Sequence, residues 1–172
     1  MRPILTEPPE HPIVDTGVLF DFLLWRFCVE TRTPFPGCFP DYSAMTDCMQ
    51  ALHWYFDKHK PIHTSPLVIA EIHGLVKSRA KWKGRRVSTF WQFAQEELAR
   101  FQLEEHLVEL ARMNREDLGI FGPTDVSILE IAVQVGRTVI AEDRALSRRL
   151  TQEQIGVLNR WDVLKVWHDS TA

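Results

Sequence analysis

The sequence predicts an α/β fold: a single-domain, three-layer α/β/α sandwich around a mostly parallel sheet. Three observations carry that expectation. Short apolar runs of strand length alternate with longer segments of helical spacing, the pattern of strands joined by crossover helices. Acidic residues stand where such runs hand over to helices, as Asp15 does after Ile13-Val14 and Asp143 after Thr138-Val-Ile-Ala. The chain has 172 residues, 45% of them apolar and 25% charged, enough for one real core and too few for a comfortable second domain.

The elements follow in order. Residues 1–11 are acidic, Pro-rich and without an apolar signal core, and read as a flexible leader; residues 12–168 form the domain. A short buried strand is expected over 11–14. A helix follows over 18–29, where Val18, Leu19, Phe22, Leu23, Trp25 and Phe27 give a broad apolar surface. Three prolines and a glycine make 31–40 a loop. Met45, Met49, Leu52 and Phe56 recur at helical spacing over 42–58, and 61–64 is a brief strand. Ser65-Pro66 starts the next helix, a side-chain cap followed by proline in the first turn. Residues 88–102 form an amphipathic helix on Phe90, Trp91, Ala94, Leu98 and Phe101. A strand is expected at 107–110, a loop at 116–122, and a helix over 123–136 ended by Gly136. Residues 137–141 form a strand, Asp143 caps a helix over 144–150, and 162–166 is a last edge strand.

Composition excludes several functions. A net charge of −3 gives no global basic field to recruit nucleic acid or anionic membrane, although a local basic patch with a bound cation still admits RNA. No apolar stretch approaches a membrane span, so no membrane partner is expected. Three cysteines, an odd set with no CxxC pair, argue against a disulfide framework and for a reducing cytoplasm.

Four acids are the candidate site: Asp15, Glu71, Asp125 and Asp143. In an open α/β sheet the strand-to-helix handovers gather at one crevice, where ligands bind. Carboxylates crowded there repel one another unless cations hold them, so the set reads as a divalent-metal site. Each aspartate also has a plainer reading as a helix cap or a first-turn charge. Glu71 interrupts Leu67-Val-Ile-Ala-Glu-Ile and is therefore expected to be partly buried and in need of a partner.

These residues resemble a PIN domain. Ile13-Val14-Asp15-Thr16 is similar to the family's first motif, and Glu71 lies in a helix after a strand as the family's Glu does. Thr124-Asp125-Val126-Ser127 and Ala141-Glu142-Asp143-Arg144 resemble the third and fourth. The matches occur in family order across nearly the whole chain. Many members have Thr two residues before the last Asp, where this sequence has Ala141. The resemblance implies a four- or five-stranded parallel sheet and Mg²⁺- or Mn²⁺-dependent hydrolysis of RNA phosphodiesters. It also implies the toxin of a toxin–antitoxin pair, with RNA as substrate, a protein antitoxin as partner, and association as a homodimer. The family's alternative is a catalytically silent domain that binds RNA or protein.

Within that resemblance, Asp15, Asp125 and Asp143 are the metal ligands, and Glu71 holds a metal or orients the attacking water. Thr16 either positions Asp15 or touches phosphate, and Arg144 reaches phosphate. The basic run 77–86 contains Lys81, Trp82 and Arg85. It reads either as a grip on an RNA backbone with a base stacked on Trp82, or as a solvated helix end. Cys38, Cys48, His53, His59 and His63 are zinc-type residues, but their spacings match no tight ligand pair. A receiver domain requires an acidic pair after the first strand, and an aspartate-nucleophile phosphatase a second Asp two residues beyond Asp15; Asp15-Thr16-Gly17-Val18 offers neither.

Overall fold

A computed structural model describes residues 11–39 and 42–171. Residues 1–10, most of the expected leader, lie outside the described residues. Five strands and eight α-helices are present among the described residues, with one or two helices after each strand. The first half comprises β1 (Ile13–Val14), α1 (Thr16–Thr31), α2 (Tyr42–Lys58), β2 (His63–Thr64), α3 (Pro66–Ser78) and α4 (Arg85–Arg100). The second comprises β3 (Glu104–Glu105), α5 (Arg115–Phe121), α6 (Pro123–Val135), β4 (Val139–Ile140), α7 (Arg144–Gln152), β5 (Val157–Leu158) and α8 (Arg160–Thr171). The sheet is wholly parallel in the order β3-β2-β1-β4-β5, with Ile13 opposite both His63 and Val139. The architecture is α/β and consistent with a three-layer sandwich. The strand order reverses between β1 and β4, so the crevice at their carboxyl ends is the expected ligand site.

Helix α1 anchors the core. It buries Val18, Leu19, Phe20, Phe22, Leu23, Leu24 and Phe27, nearly its full circumference, as a central helix must. Phe22 stands edge-on to Phe56 of α2 and to Phe101 just after α4, with ring centroids 5.0 and 5.6 Å apart. These contacts gather α2 and α4 around α1 and fix where α1 begins, directly behind Asp15.

Three expected elements differ. The last edge strand is β5, and the stretch read as a strand at 162–166 belongs to α8. Asn159 decides this: its Oδ1 accepts from the amides of Trp161 and Asp162, while Asp162 Oδ2 accepts from the Asn159 amide. This reciprocal cap starts a helix that buries Val163 and half-buries Trp167, one turn apart. The stretch read as a loop at 116–122 contains α5, capped by Asn114 through the amides of Glu116 and Asp117. The strand expected at 107–110 is instead β3 at Glu104–Glu105, and Leu107 is exposed. Two glutamates carry no strand propensity; pairing with β2 makes them a strand, and their charge guards a sheet edge. Helix α4 begins at Arg85, ahead of the expected residue 88.

Candidate functional site

The four acids converge on the carboxyl ends of β1 and β4. Asp15 ends β1 and caps α1, its Oδ1 accepting from the Thr16 amide at 2.7 Å. Asp143 follows β4 and caps α7, accepting from the Leu146 amide at 2.7 Å. Asp125 sits in the first turn of α6, whose Gly122 cap offers no side chain. Glu71 reaches across from α3 and accepts a 2.8 Å hydrogen bond from the Thr16 hydroxyl. The capping role read for Asp15 and Asp143 is therefore real, and it coexists with their meeting the other acids.

Electrostatics register that meeting. Asp15 is only 4% exposed, and its carboxyl is pushed up from 3.8 to about 7. Burial is the main cause; the Thr16 amide opposes it, and the charges of Asp125, Glu71 and Asp143 add to it. Asp125 is pushed up to about 6 by burial and by the charges of Asp143 and Glu71. All four carboxylates thus share one local field. Glu71 departs from expectation, for it is exposed. The buried stripe of α3 is Val68, Ile72 and Val76, which turns Glu71 out of the core and toward Thr16.

The donor set fits a hard divalent cation: four carboxylates with costly mutual repulsion and no cationic side chain among the neighbours that shift Asp15 or Asp125. The fit is a loose one. No three of the four bring oxygens within 4.8 Å of one another; among the described residues that spacing is met by His63, Glu104 and His106. A looser cage suits Mg²⁺, which retains several waters between itself and protein oxygens.

The walls of the crevice are tied down by polar contacts the sequence did not announce. The Thr64 hydroxyl donates to the Val14 carbonyl at 3.0 Å, fixing β2 beside the residue before Asp15. Ser65 and Ser127 hydroxyls meet at 2.7 Å, joining the starts of α3 and α6. Arg160 is buried and donates to Glu142 Oε1 at 2.7 Å and to Asp21 Oδ2 at 3.0 Å. Glu142 is therefore held by an arginine. A signal existed for Asp21: it is a lone acid in Leu19-Phe20-Asp21-Phe22-Leu23, the same interruption that flagged Glu71. Arg160 lies in no such pattern. Ala141 is buried with its amide in the sheet, donating to the Leu158 carbonyl, so it offers no hydroxyl to the acids.

The basic run divides. Lys81 and Arg85 are exposed, as a phosphate contact requires, and so is Arg144. Trp82 is not a base platform: it is buried against Phe27 and Phe90, and the Arg86 guanidinium covers its ring at 4.3 Å. Trp91 takes the surface position instead. It is half-buried, stacks on His73 and donates to its Nδ1 at 3.0 Å. An open groove of about 390 Å³ runs beside it, bounded by Pro66, Ile69 and Ala70 of α3. A second groove of about 360 Å³ continues past His73 to Lys77 and Lys83. Neither groove is lined by the four acids, so the crevice is defined by its charges and the grooves are neighbouring surface. Arg85 and Arg86 also begin α4, where positive charge opposes the helix dipole, so dipole compensation does not account for them.

The cysteine and histidine crowding at 38–63 forms no shared ligand set among the described residues. Cys28 and Cys48 are buried thiols, both pushed up to about 11 by burial, and behave as core residues. Arg149 forks onto Asp117 at 3.1 and 3.2 Å and ties α7 to α5.

Comparison of the chain with family models, curated proteins and solved structures finds no significant match.

Proposed function

We propose that this chain is a PIN-like, Mg²⁺- or Mn²⁺-dependent endoribonuclease of the kind that acts as the toxin of a toxin–antitoxin pair. The observation that carries the reading is the shared field of Asp15, Glu71, Asp125 and Asp143 at the switch point of a parallel sheet. A buried carboxylate repelled by neighbouring acids, as Asp15 is, costs stability unless positive charge enters, which favours a site over a framework.

A bound divalent cation supplies an acidified water and charge neutralisation at the scissile phosphate. Asp15, Asp125 and Asp143 are the residues that would hold it. Glu71 is positioned by the Thr16 hydroxyl through one oxygen, Oε2, leaving Oε1 to orient water. Thr16 therefore acts on Glu71 and, through its amide, on Asp15, rather than on phosphate. Arg144 borders Asp143 and offers a phosphate contact. Glu71 and Lys77 share α3 and lie six residues apart, about 9 Å along the axis. A strand of RNA leaving the acids thus meets Trp91 for stacking and Lys77, Lys81, Lys83 and Arg85 for its backbone.

A cleavage assay on unstructured RNA with added Mn²⁺ tests the reading. Wild type should cut, and Asp15→Asn or a chelator should lower the rate at least about a hundredfold, the loss of several kcal/mol of charge stabilisation. Cutting that survives both treatments removes the mechanism. A second reading, a silent domain that binds RNA or protein, is favoured by the loose spacing of the carboxylates. It predicts RNA binding without turnover in wild type at saturating Mn²⁺. For the toxin role, induced expression should arrest growth, and Asp15→Asn should relieve the arrest.

A further inference from the structure

A second set of ligand-type atoms lies across the pairing of β2 with β3, outside the acidic crevice. The parallel register sets His63 opposite Glu104. Side chains alternate along a strand, so His106, two residues beyond Glu104, returns to the same face. His63 Nδ1 lies 2.8 Å from His106 Nε2 and 3.4 Å from Glu104 Oε2. All three donor atoms fall within 4.8 Å of one another. His63 is buried, His106 half-buried and Glu104 exposed, so the cluster has a protein floor and an opening to solvent.

A hydrogen bond from His63 to His106 satisfies these rings without an ion. Arg137 favours that arrangement: its Nη1 touches His63 Nε2, and a guanidinium only donates, so the His63 proton is directed to Nδ1. An ion at Nδ1 moves the proton to Nε2, where it opposes Arg137. Arg137 is partly exposed, and its other contact is a long 3.4 Å hydrogen bond to the His11 carbonyl, so it is free to turn outward. Two imidazoles and one carboxylate with an open fourth position form a nitrogen-rich set that selects zinc-class ions over Mg²⁺.

We propose that His63, Glu104 and His106 bind a zinc-class divalent ion that clamps edge strand β3 onto β2, with Arg137 as the cation the ion displaces. The clamp has a structural reason. Strand β3 is two exposed glutamates at a sheet edge, and side-chain ligands supply the cross-strand attachment that its sequence lacks. Strand β2 in turn holds β1 beside Asp15 through Thr64.

The experiment uses the full-length protein without an affinity tag, stripped with chelator and titrated with Zn²⁺ and Co²⁺. In an Asp15→Asn background, where the acidic crevice does not compete for the ion, the protein should bind one ion, show the visible absorption of tetrahedral Co²⁺, and melt at a higher temperature with Zn²⁺. His106→Ala and Glu104→Gln, both at accessible positions, should each weaken binding by at least about tenfold and abolish the melting shift. Arg137→Ala should tighten binding, because it removes a competing cation and frees the ligand nitrogen. Wild type and Asp15→Asn should show the same tetrahedral Co²⁺ absorption, which separates this site from the oxygen-only acidic crevice. Absence of Zn²⁺ binding in wild type, binding indifferent to His106→Ala, or weaker binding in Arg137→Ala overturns the proposal.

Discussion

At Asp15, function and stability pull in opposite directions. The carboxylate is buried beside three other acids, so its neutral form is favoured in the folded chain. By linkage, well below pH 3.8 the group is neutral in both folded and unfolded states and costs nothing. As pH rises from 3.8 toward about 7 the unfolded chain ionises first, and folding loses free energy across that window. Asp125, pushed up to about 6, acts in the same direction. Asparagine caps a helix as well as aspartate does, so Asp15→Asn keeps the start of α1 and removes the repulsion. In the presence of chelator, Asp15→Asn should melt above wild type at pH 8 by an amount equivalent to about 1–3 kcal/mol, and the gap should close toward pH 4. Mn²⁺ should raise the wild-type midpoint at pH 8 and leave the variant unmoved. A variant that melts below wild type at pH 8 without metal contradicts the electrostatic account. Thr16→Ala, which removes the bond to Glu71 but not the amide on Asp15, should slow cleavage about tenfold while leaving metal-dependent stabilisation in place.

Among the elements, α8 is joined to the core by a buried arginine as well as by its packing on α2. Arg160 joins it to Asp21 of α1 and to Glu142 at the end of β4, within a buried setting. Truncation leaves Asp21 buried without its hydrogen-bonded partner, with only the positive charge of Arg79 nearby. Arg160→Ala should cost about 3–5 kcal/mol in urea unfolding, and Arg160→Met combined with Asp21→Leu should recover most of it. Failure of the double variant to recover would mean that the pair specifies the docking of α8, not only its stability. The same element explains why the sequence misleads at 162–166. Asp-Val-Leu-Lys-Val is short, apolar and Val-rich and reads as a strand, whereas the decisive signal was the Asn159–Asp162 reciprocal cap just upstream. Strand β3 is the converse case, since nothing in Glu104-Glu105 favours a strand and only the vacant edge of β2 makes it one.

Across the whole molecule, charge is unevenly spread. The chain is net negative, with acids gathered at the switch point and cations exposed between α3 and the start of α4. Binding of single-stranded RNA should therefore depend on salt through that one segment. Measured by anisotropy with Asp15→Asn to prevent turnover, replacing Lys77, Lys81, Lys83 and Arg85 with Gln should reduce the slope of log affinity against log salt. The expected reduction is about 0.7 for each phosphate that is no longer neutralised. An unchanged slope would assign the segment a structural role only. Trp91→Ala should weaken binding by about 1–3 kcal/mol with no change in slope, because stacking releases no counterions.

The sequence by itself determined the alternation of strands and helices, the capped helix starts at Asp15, Ser65 and Asp143, and the identity of the four acids. Those features are local: a cap, a proline in the first turn or a polar residue in an apolar run acts within a few residues of itself. Tertiary structure alone decided that Glu71 faces outward yet meets Thr16, that Trp82 is core while Trp91 is surface, and that Arg160 reaches Asp21 across 139 residues. It also decided that His63 answers to Glu104 and His106 rather than to the cysteines near it in sequence. The physical reason is register: which side chains meet across paired strands and crossing helices depends on how separate elements dock, and no local pattern encodes that.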